Sequence, residues 1–164
     1  MTYNKPEYMI NKFQKIENAF KKCEEYKDSD ISQELNSYLV VLISGIYEDV
    51  IENLFIERAG KTKDSEIKSF MSNYLDKGFR NPNYENILKL LAMLNPDYKK
   101  SLKNKKNTHN IPEYNTTGLD SIITNKNEFA HGYDNKASFD DIKNYHKRAV
   151  KIFEVLEKIL LNTL

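Results

Sequence analysis

Three residues in the last third of the chain carry side chains suited to proton transfer and phosphate binding. They are Lys126, Asn127 and His131, within the stretch NKNEFAHGY at residues 125–133. An imidazole exchanges protons near neutral pH, and a lysine stabilises negative charge that develops on a phosphate. Cleaving RNA without a metal requires a base for the 2′-hydroxyl, an acid for the leaving oxygen and a cation near the phosphorus. These residue types fit that chemistry.

The spacing of the three residues limits what one copy of the chain can do, although fraying of the helix at Gly132 would relax this limit. On a helix, Asn127 lies about one turn before His131 and shares its face, whereas Lys126 is rotated from His131 by about 140°. A single chain would struggle to direct both side chains at one substrate atom. A two-fold axis near this helix end would bring two histidines and two lysines into one cleft. We therefore expect a homodimer.

The same segment also fits a structural role. Ala130, His131 and Gly132 are typical of a helix C-terminus, where glycine takes the left-handed conformation and an imidazolium lies near the last carbonyls. The residue pattern alone leaves both interpretations open.

Other types of catalytic or metal-binding site have little support. His109, His131 and His146 form no pair at metal-ligand spacing on one helix. Cys23, the one cysteine, excludes an intrachain disulfide and a cysteine-based zinc site, and its position on an apolar stripe predicts a core thiol. No glycine-rich phosphate loop and no GxSxG motif occurs. We expect neither a metal nor a cofactor.

Length and composition favour one globular domain over residues 1–164, with a net charge of +1 and 40% hydrophobic residues. The near-neutral balance argues against nonspecific coating of nucleic acid. The longest apolar run, YLVVLISGIY at 38–47, is roughly half of a membrane-spanning helix, and the N-terminus lacks a signal-peptide segment. We expect a cytoplasmic protein without a membrane partner.

Apolar spacing of three and four, with only five glycines and four prolines, predicts an all-α antiparallel bundle. Ser29 or Asp30 is expected to cap the long central helix, and Ser138 the last helix. Phe129 is expected to face inward. The predicted helical segments are 7–26, 31–60, 64–78, 81–102 with a break at Asn95-Pro96, 117–132, and 138 onward.

The segment 103–116, KNKKNTHNIPEYNT, reads as a polar loop. Its Lys103, Lys105 and Lys106 form a local basic patch. The patch is either a solvated surface or a contact to RNA phosphates.

The stretch LDSIITNKNEFAHG, with KNEFAH at its centre, resembles the RNxxAH form of the R-x4-6-H motif of HEPN domains. Three further segments resemble the RiboL-PSP-type HEPN branch in order and spacing: SYLVVLISGIYEDVIENLF, FRNPNYENILKLLAML and ASFDDIKNYHKRAVKIFEVLEKIL. The resemblance spans nearly the entire chain.

This resemblance implies a dimeric helical bundle that acts as a metal-independent endoribonuclease, used as a toxin or in phage defence. His131 would be the catalytic histidine, with Asn127 beside it and Lys126 at the arginine position. Lysine keeps the charge but lacks the planar fork that grips phosphate through two hydrogen bonds. The alternative is a non-catalytic HEPN module that binds RNA or serves as an adaptor. A third possibility is a bundle that functions only through a partner-binding surface.

Two accessory residues complete the expected site. Lys126-x4-His131-x-Tyr133 resembles the R-x4-H-x-Y variant of HEPN toxins paired with nucleotidyltransferase antitoxins, in which the tyrosine is modified. That variant implies an antitoxin partner. Glu48 on the central helix either lines the same cleft, as an acidic residue does in related bundles, or faces solvent beside a lysine.

Overall fold

The computed structural model describes residues 6–108, 113–134 and 136–161, and the regular structure within these ranges is entirely helical. The all-α prediction is therefore confirmed. The helices are α1 (Glu7–Cys23), α2 (Ser32–Gly60), α3 (Ser65–Gly78), α4 (Tyr84–Leu94), α5 (Pro96–Thr108), α6 (Glu113–Ala130) and α7 (Phe139–Leu161), with a 3₁₀ turn at Glu24–Tyr26 after α1. Among the described helices, none is long and apolar enough to cross a membrane.

Helix α2 forms the centre of the bundle, as its apolar stripe predicted. It packs against α1, α3, α6 and α7. The residues of its stripe that are buried are Leu39, Ile43, Ile46, Val50 and Leu54. Cys23 is also buried, which confirms its assignment to the core.

Helices α6 and α7 approach each other closely at Gly118. A Cβ at this position would lie 2.7 Å from Arg148 Cβ and 2.9 Å from the Tyr145 carbonyl oxygen. These distances are shorter than van der Waals contact, so a residue with a side chain would push the two helices apart. The glycine therefore sets how α6, which carries Lys126 and His131, lies on α7.

The start of α7 has the expected cap, whereas the start of α2 does not. Ser138 Oγ accepts from the Asp141 amide at 3.1 Å, and Asp141 Oδ2 accepts from the Ser138 amide at 3.1 Å. This reciprocal arrangement is a capping box. The prediction that Ser29 or Asp30 caps α2 is wrong, because Ile31 occupies the cap position without a side-chain hydrogen bond. Ser29 instead donates its hydroxyl to the 3₁₀ turn.

The predicted loop at 103–116 is wrong at both ends. Helix α5 continues to Thr108 and α6 begins at Glu113, while residues 109–112 lie outside the described residues. Leu102 is buried and anchors α5 to the core. Lysine is compatible with a helix, and the exposed Lys103 and Asn104 lie on a solvent-facing surface of α5 rather than at a break in the helix.

A buried polar pair connects α2 to α7. The Tyr47 hydroxyl lies 2.9 Å from His146 Nδ1, and both side chains are buried. Burial lowers the pKa of His146 to about 4. Glu17 Oε1 lies 3.7 Å from His146 Nε2. Because the pKa keeps the imidazole neutral at pH 7, this approach is a polar contact rather than an ion pair.

Candidate functional site at the end of α6

Helix α6 ends in a Schellman motif built around Gly132. Gly132 has a positive φ of 82°, its amide donates to the Phe129 carbonyl at 3.0 Å, and the Tyr133 amide donates to the Glu128 carbonyl at 3.0 Å. His131 precedes the glycine, and its amide donates to the Asn127 carbonyl at 3.0 Å. The predicted helix C-terminus with a left-handed glycine is therefore present.

The turn leaves several side chains open to solvent. The His131 side chain is exposed, and Tyr133 is 67% exposed. Phe129 is 44% exposed, so its predicted inward orientation is wrong. Burial on α6 ends with Ile123, and Lys126 is only half-buried. The last turn of α6 therefore lies beyond the core and presents its aromatic and imidazole groups at the surface.

Lys126 is held by two amide side chains. Its Nζ donates to Asn81 Oδ1 at 2.9 Å and to Asn127 Oδ1 at 3.4 Å. Asn127 thus directs its side-chain oxygen to Lys126, and its backbone carbonyl to the His131 amide. The structure brings Asn127 and Lys126 together, while the His131 side chain extends separately into solvent.

Asn81, which the sequence analysis missed, links Lys126 to Glu48. The Asn81 amide donates to Glu48 Oε1 at 3.1 Å, and Glu48 is half-buried. Asn81 has φ = 55°, a left-handed conformation that asparagine tolerates better than most residues. Its carbonyl oxygen accepts from Asn86 Nδ2 at 2.9 Å. Glu48 therefore reaches the lysine through Asn81. The sequence signal that could have identified this position is the Asn-Pro pair at the start of the predicted segment 81–102, which favours a turn before α4 begins at Tyr84.

Helix α6 also holds the start of α4. Asp120 accepts from the Tyr84 amide at 2.7 Å, and Asn83 caps α4 by accepting from the Asn86 amide at 2.8 Å. Burial raises the pKa of Asp120, and the hydrogen bond from Tyr84 opposes that rise. Asp120 thereby fixes the segment that follows Asn81 against the helix that carries Lys126.

The remaining predicted residues lie on α5. Lys103 is exposed near its end, while Lys105 and Lys106 have backbones within the helix and side chains outside the described part. Within the described residues, no group of three or more His, Cys, Asp or Glu side chains is arranged to hold a metal ion.

The arrangement as a whole consists of a restrained cation and an exposed imidazole about one and a half turns apart on one helix. Both groups lie at the end of a helix in an all-α bundle, which is the placement expected of a HEPN-type protein. The RiboL-PSP-HEPN family model matches residues 7–162, and the chain belongs to this family. Neither the curated proteins nor the solved structures gave a match to the chain. Family membership suggests an RNA-cleaving or RNA-binding module.

Proposed function

We propose that this protein is a metal-independent endoribonuclease, a toxin or phage-defence effector, whose active site is shared between two copies of the chain. The observation that supports the proposal most strongly is the ordered Lys126. A flexible surface lysine would have no fixed position, whereas this one is held 2.9 Å from Asn81 Oδ1 beside the helix end that carries His131. A cation held in place before the substrate binds is what stabilises developing phosphate charge at low reorganisation cost.

The chemistry follows from the side chains. One His131 removes the 2′-hydroxyl proton, the 2′-oxygen forms a bond to phosphorus, and the bond from phosphorus to the 5′-oxygen breaks. The second His131, from the other copy, donates a proton to that leaving oxygen. Lys126 stabilises the charge on the non-bridging oxygens. The products are a 2′,3′-cyclic phosphate and a 5′-hydroxyl.

Exposed apolar side chains support the shared site. Tyr38 is 53% exposed and Val41 is 44% exposed, three residues apart on the outer face of α2. This surface is close to the end of α6, since Ser37 and Phe129 line the same cavity. Pairing the α2 faces of two copies would bury these side chains and place both His131 turns near the two-fold axis.

Two further features belong to the same proposal. An effector of this kind needs restraint, so we infer an antitoxin partner, for which the exposed Tyr133 is an accessible site of modification. The lysines of α5, with Lys103 exposed, are weaker candidates for contacts to RNA phosphates.

The experiment is cleavage of a labelled structured RNA by purified protein in excess chelator. We expect His131→Ala to reduce cleavage by about 10²- to 10⁴-fold. Glu66→Gln, which changes an exposed residue on α3, serves as the control and should cut like the parent. Products should carry 5′-hydroxyl ends that a polynucleotide kinase can label directly. Equal cleavage by the parent and His131→Ala, or products with 5′-phosphates, would refute the proposal.

Lys126 stands where the HEPN motif has arginine, and this favours a second candidate function, the non-catalytic RNA-binding or adaptor module. Lys126→Arg separates the two functions. In a weak enzyme the planar guanidinium should raise cleavage, because it makes two parallel hydrogen bonds to phosphate. In a pure binding module, RNA affinity persists and cleavage stays at zero for both proteins.

A further inference from the structure

A cavity of about 310 Å³ lies beside the turn that carries His131. Helix α2 contributes Gln33, Glu34 and Ser37 to its wall, and the end of α6 contributes Phe129 and Tyr133. The volume is at the lower end of the range for small-molecule sites, which suits one flat ring system rather than a peptide helix. We propose that this cavity binds a single RNA base, with guanine as the preferred base.

The aromatic side chains provide the stacking surface. Phe129 is 44% exposed and Tyr133 is 67% exposed, although both line the cavity. Exposed rings next to a groove are typical of single-stranded nucleic-acid sites, where unstacked bases lie against aromatic faces. A base that enters the cavity would cover the apolar faces of both rings.

The polar groups of the cavity determine which base it accepts. Glu34 and Asp134 both line it, and both are exposed. Two carboxylates repel phosphate, so the sugar–phosphate backbone must stay outside while the base points inward. A carboxylate accepts hydrogen bonds only, and it can accept two that are parallel. Guanine presents adjacent N1–H and 2-amino donors on its Watson–Crick edge, which match a carboxylate better than the single amino groups of adenine or cytosine.

The position of the cavity connects base recognition to the proposed cleavage. Tyr133 and Gly132 belong both to the cavity wall and to the turn that follows His131. A base seated there holds its own nucleotide next to the imidazole. The inference therefore rests on the proposed function for its role in selecting the cleaved bond, whereas base binding itself can be measured without cleavage.

The test uses His131→Ala protein and fluorescent uridine-rich pentamers that differ only in the central base. With central guanine, binding should be about tenfold or more tighter than with inosine, which lacks the 2-amino donor to the carboxylate. The double variant Glu34→Gln with Asp134→Asn, made in the same background, should remove this difference. Glu66→Gln, which changes an exposed carboxylate on α3, should preserve it. Tyr133→Leu should weaken binding of all pentamers because the stacking surface is lost.

Three outcomes would overturn the proposal: no binding of any pentamer, equal binding of the guanine and inosine pentamers, or discrimination that survives the double variant Glu34→Gln with Asp134→Asn. The proposed nuclease function can fail separately. If the parent protein does not cleave RNA but still prefers guanine, the base site stands and the nuclease proposal falls. If the parent cleaves RNA without any base preference, the base site falls and the nuclease proposal stands.

Discussion

Acidification should destabilise the bundle through the buried His146. Its pKa is lowered by burial from 6.5 to about 4. The unfolded chain therefore binds more protons than the folded chain between these values, and stability falls as the pH drops from 6.5 towards 4. The full difference between the unfolded and folded pKa of His146 corresponds to roughly 3 kcal/mol in the free energy of unfolding, since one pKa unit is worth about 1.4 kcal/mol. Between pH 7 and pH 5 the expected loss is roughly 2 kcal/mol.

The assay compares urea unfolding of the parent and of a double variant at the two pH values. Tyr47→Phe with His146→Phe replaces both partners of this hydrogen bond with apolar rings, so neither partner is left buried without the other. Between pH 7 and pH 5, the parent should lose roughly 2 kcal/mol more than the double variant. An NMR titration of the parent provides a second measurement that does not require the variant to fold, and His146 should stay neutral to below pH 5. Equal losses, or a histidine that titrates near 6.5, would refute the reasoning.

This prediction also affects how activity is measured. Cleavage measured below pH 6.5 includes the loss of folded protein that protonation of His146 causes. Stability measured at the same pH separates this loss from an effect on the cleavage reaction itself.

Four further substitutions, one of them a control, test the packing and the site. Gly118→Ala should destabilise by about 1–2 kcal/mol in thermal or urea unfolding, because crowding against α7 outweighs the better helix propensity of alanine. Gly45→Ala, where the added methyl meets nothing, should be neutral or stabilising, and a loss there equal to that at Gly118 would contradict the packing argument. Asn81→Gly keeps the left-handed backbone but removes the shorter of the two hydrogen bonds that hold Lys126, so kcat should fall about tenfold while KM and Tm change little. A lowered Tm that accounts for the lost activity would indicate a purely structural role. Ser138→Ala should lower the free energy of unfolding by about 1 kcal/mol, because it removes the α7 cap. An unchanged unfolding midpoint would show that the cap contributes little.

The main helices were predictable because their signals are local. The apolar stripe of α2, the break at Asn95-Pro96 and the glycine stop at Gly132 each depend on neighbouring residues, and each is present in the structure. The course of α5 was mispredicted because a run of lysines and asparagines looks like a loop, whereas the buried Leu102 keeps this segment against the core.

The links within the candidate site were not predictable in the same way. Asn81 is 33 residues from Glu48 and 45 residues from Lys126, so only tertiary packing brings them together. The exposure of Phe129 has a similar cause. Its position on the apolar stripe indicates burial, but at the end of α6 its ring lines an open cavity beside α2 instead of joining the core.

The most direct test of the shared active site is subunit mixing. Parent protein and His131→Ala are combined in equal amounts, subunits are allowed to exchange, and RNA cleavage in chelator is compared with that of the parent alone. If the cleft needs a histidine from each copy, only parent dimers are active, and the rate should fall to about one quarter. A rate of about one half would mean that each copy acts alone, and an undiminished rate would mean that His131 is not required.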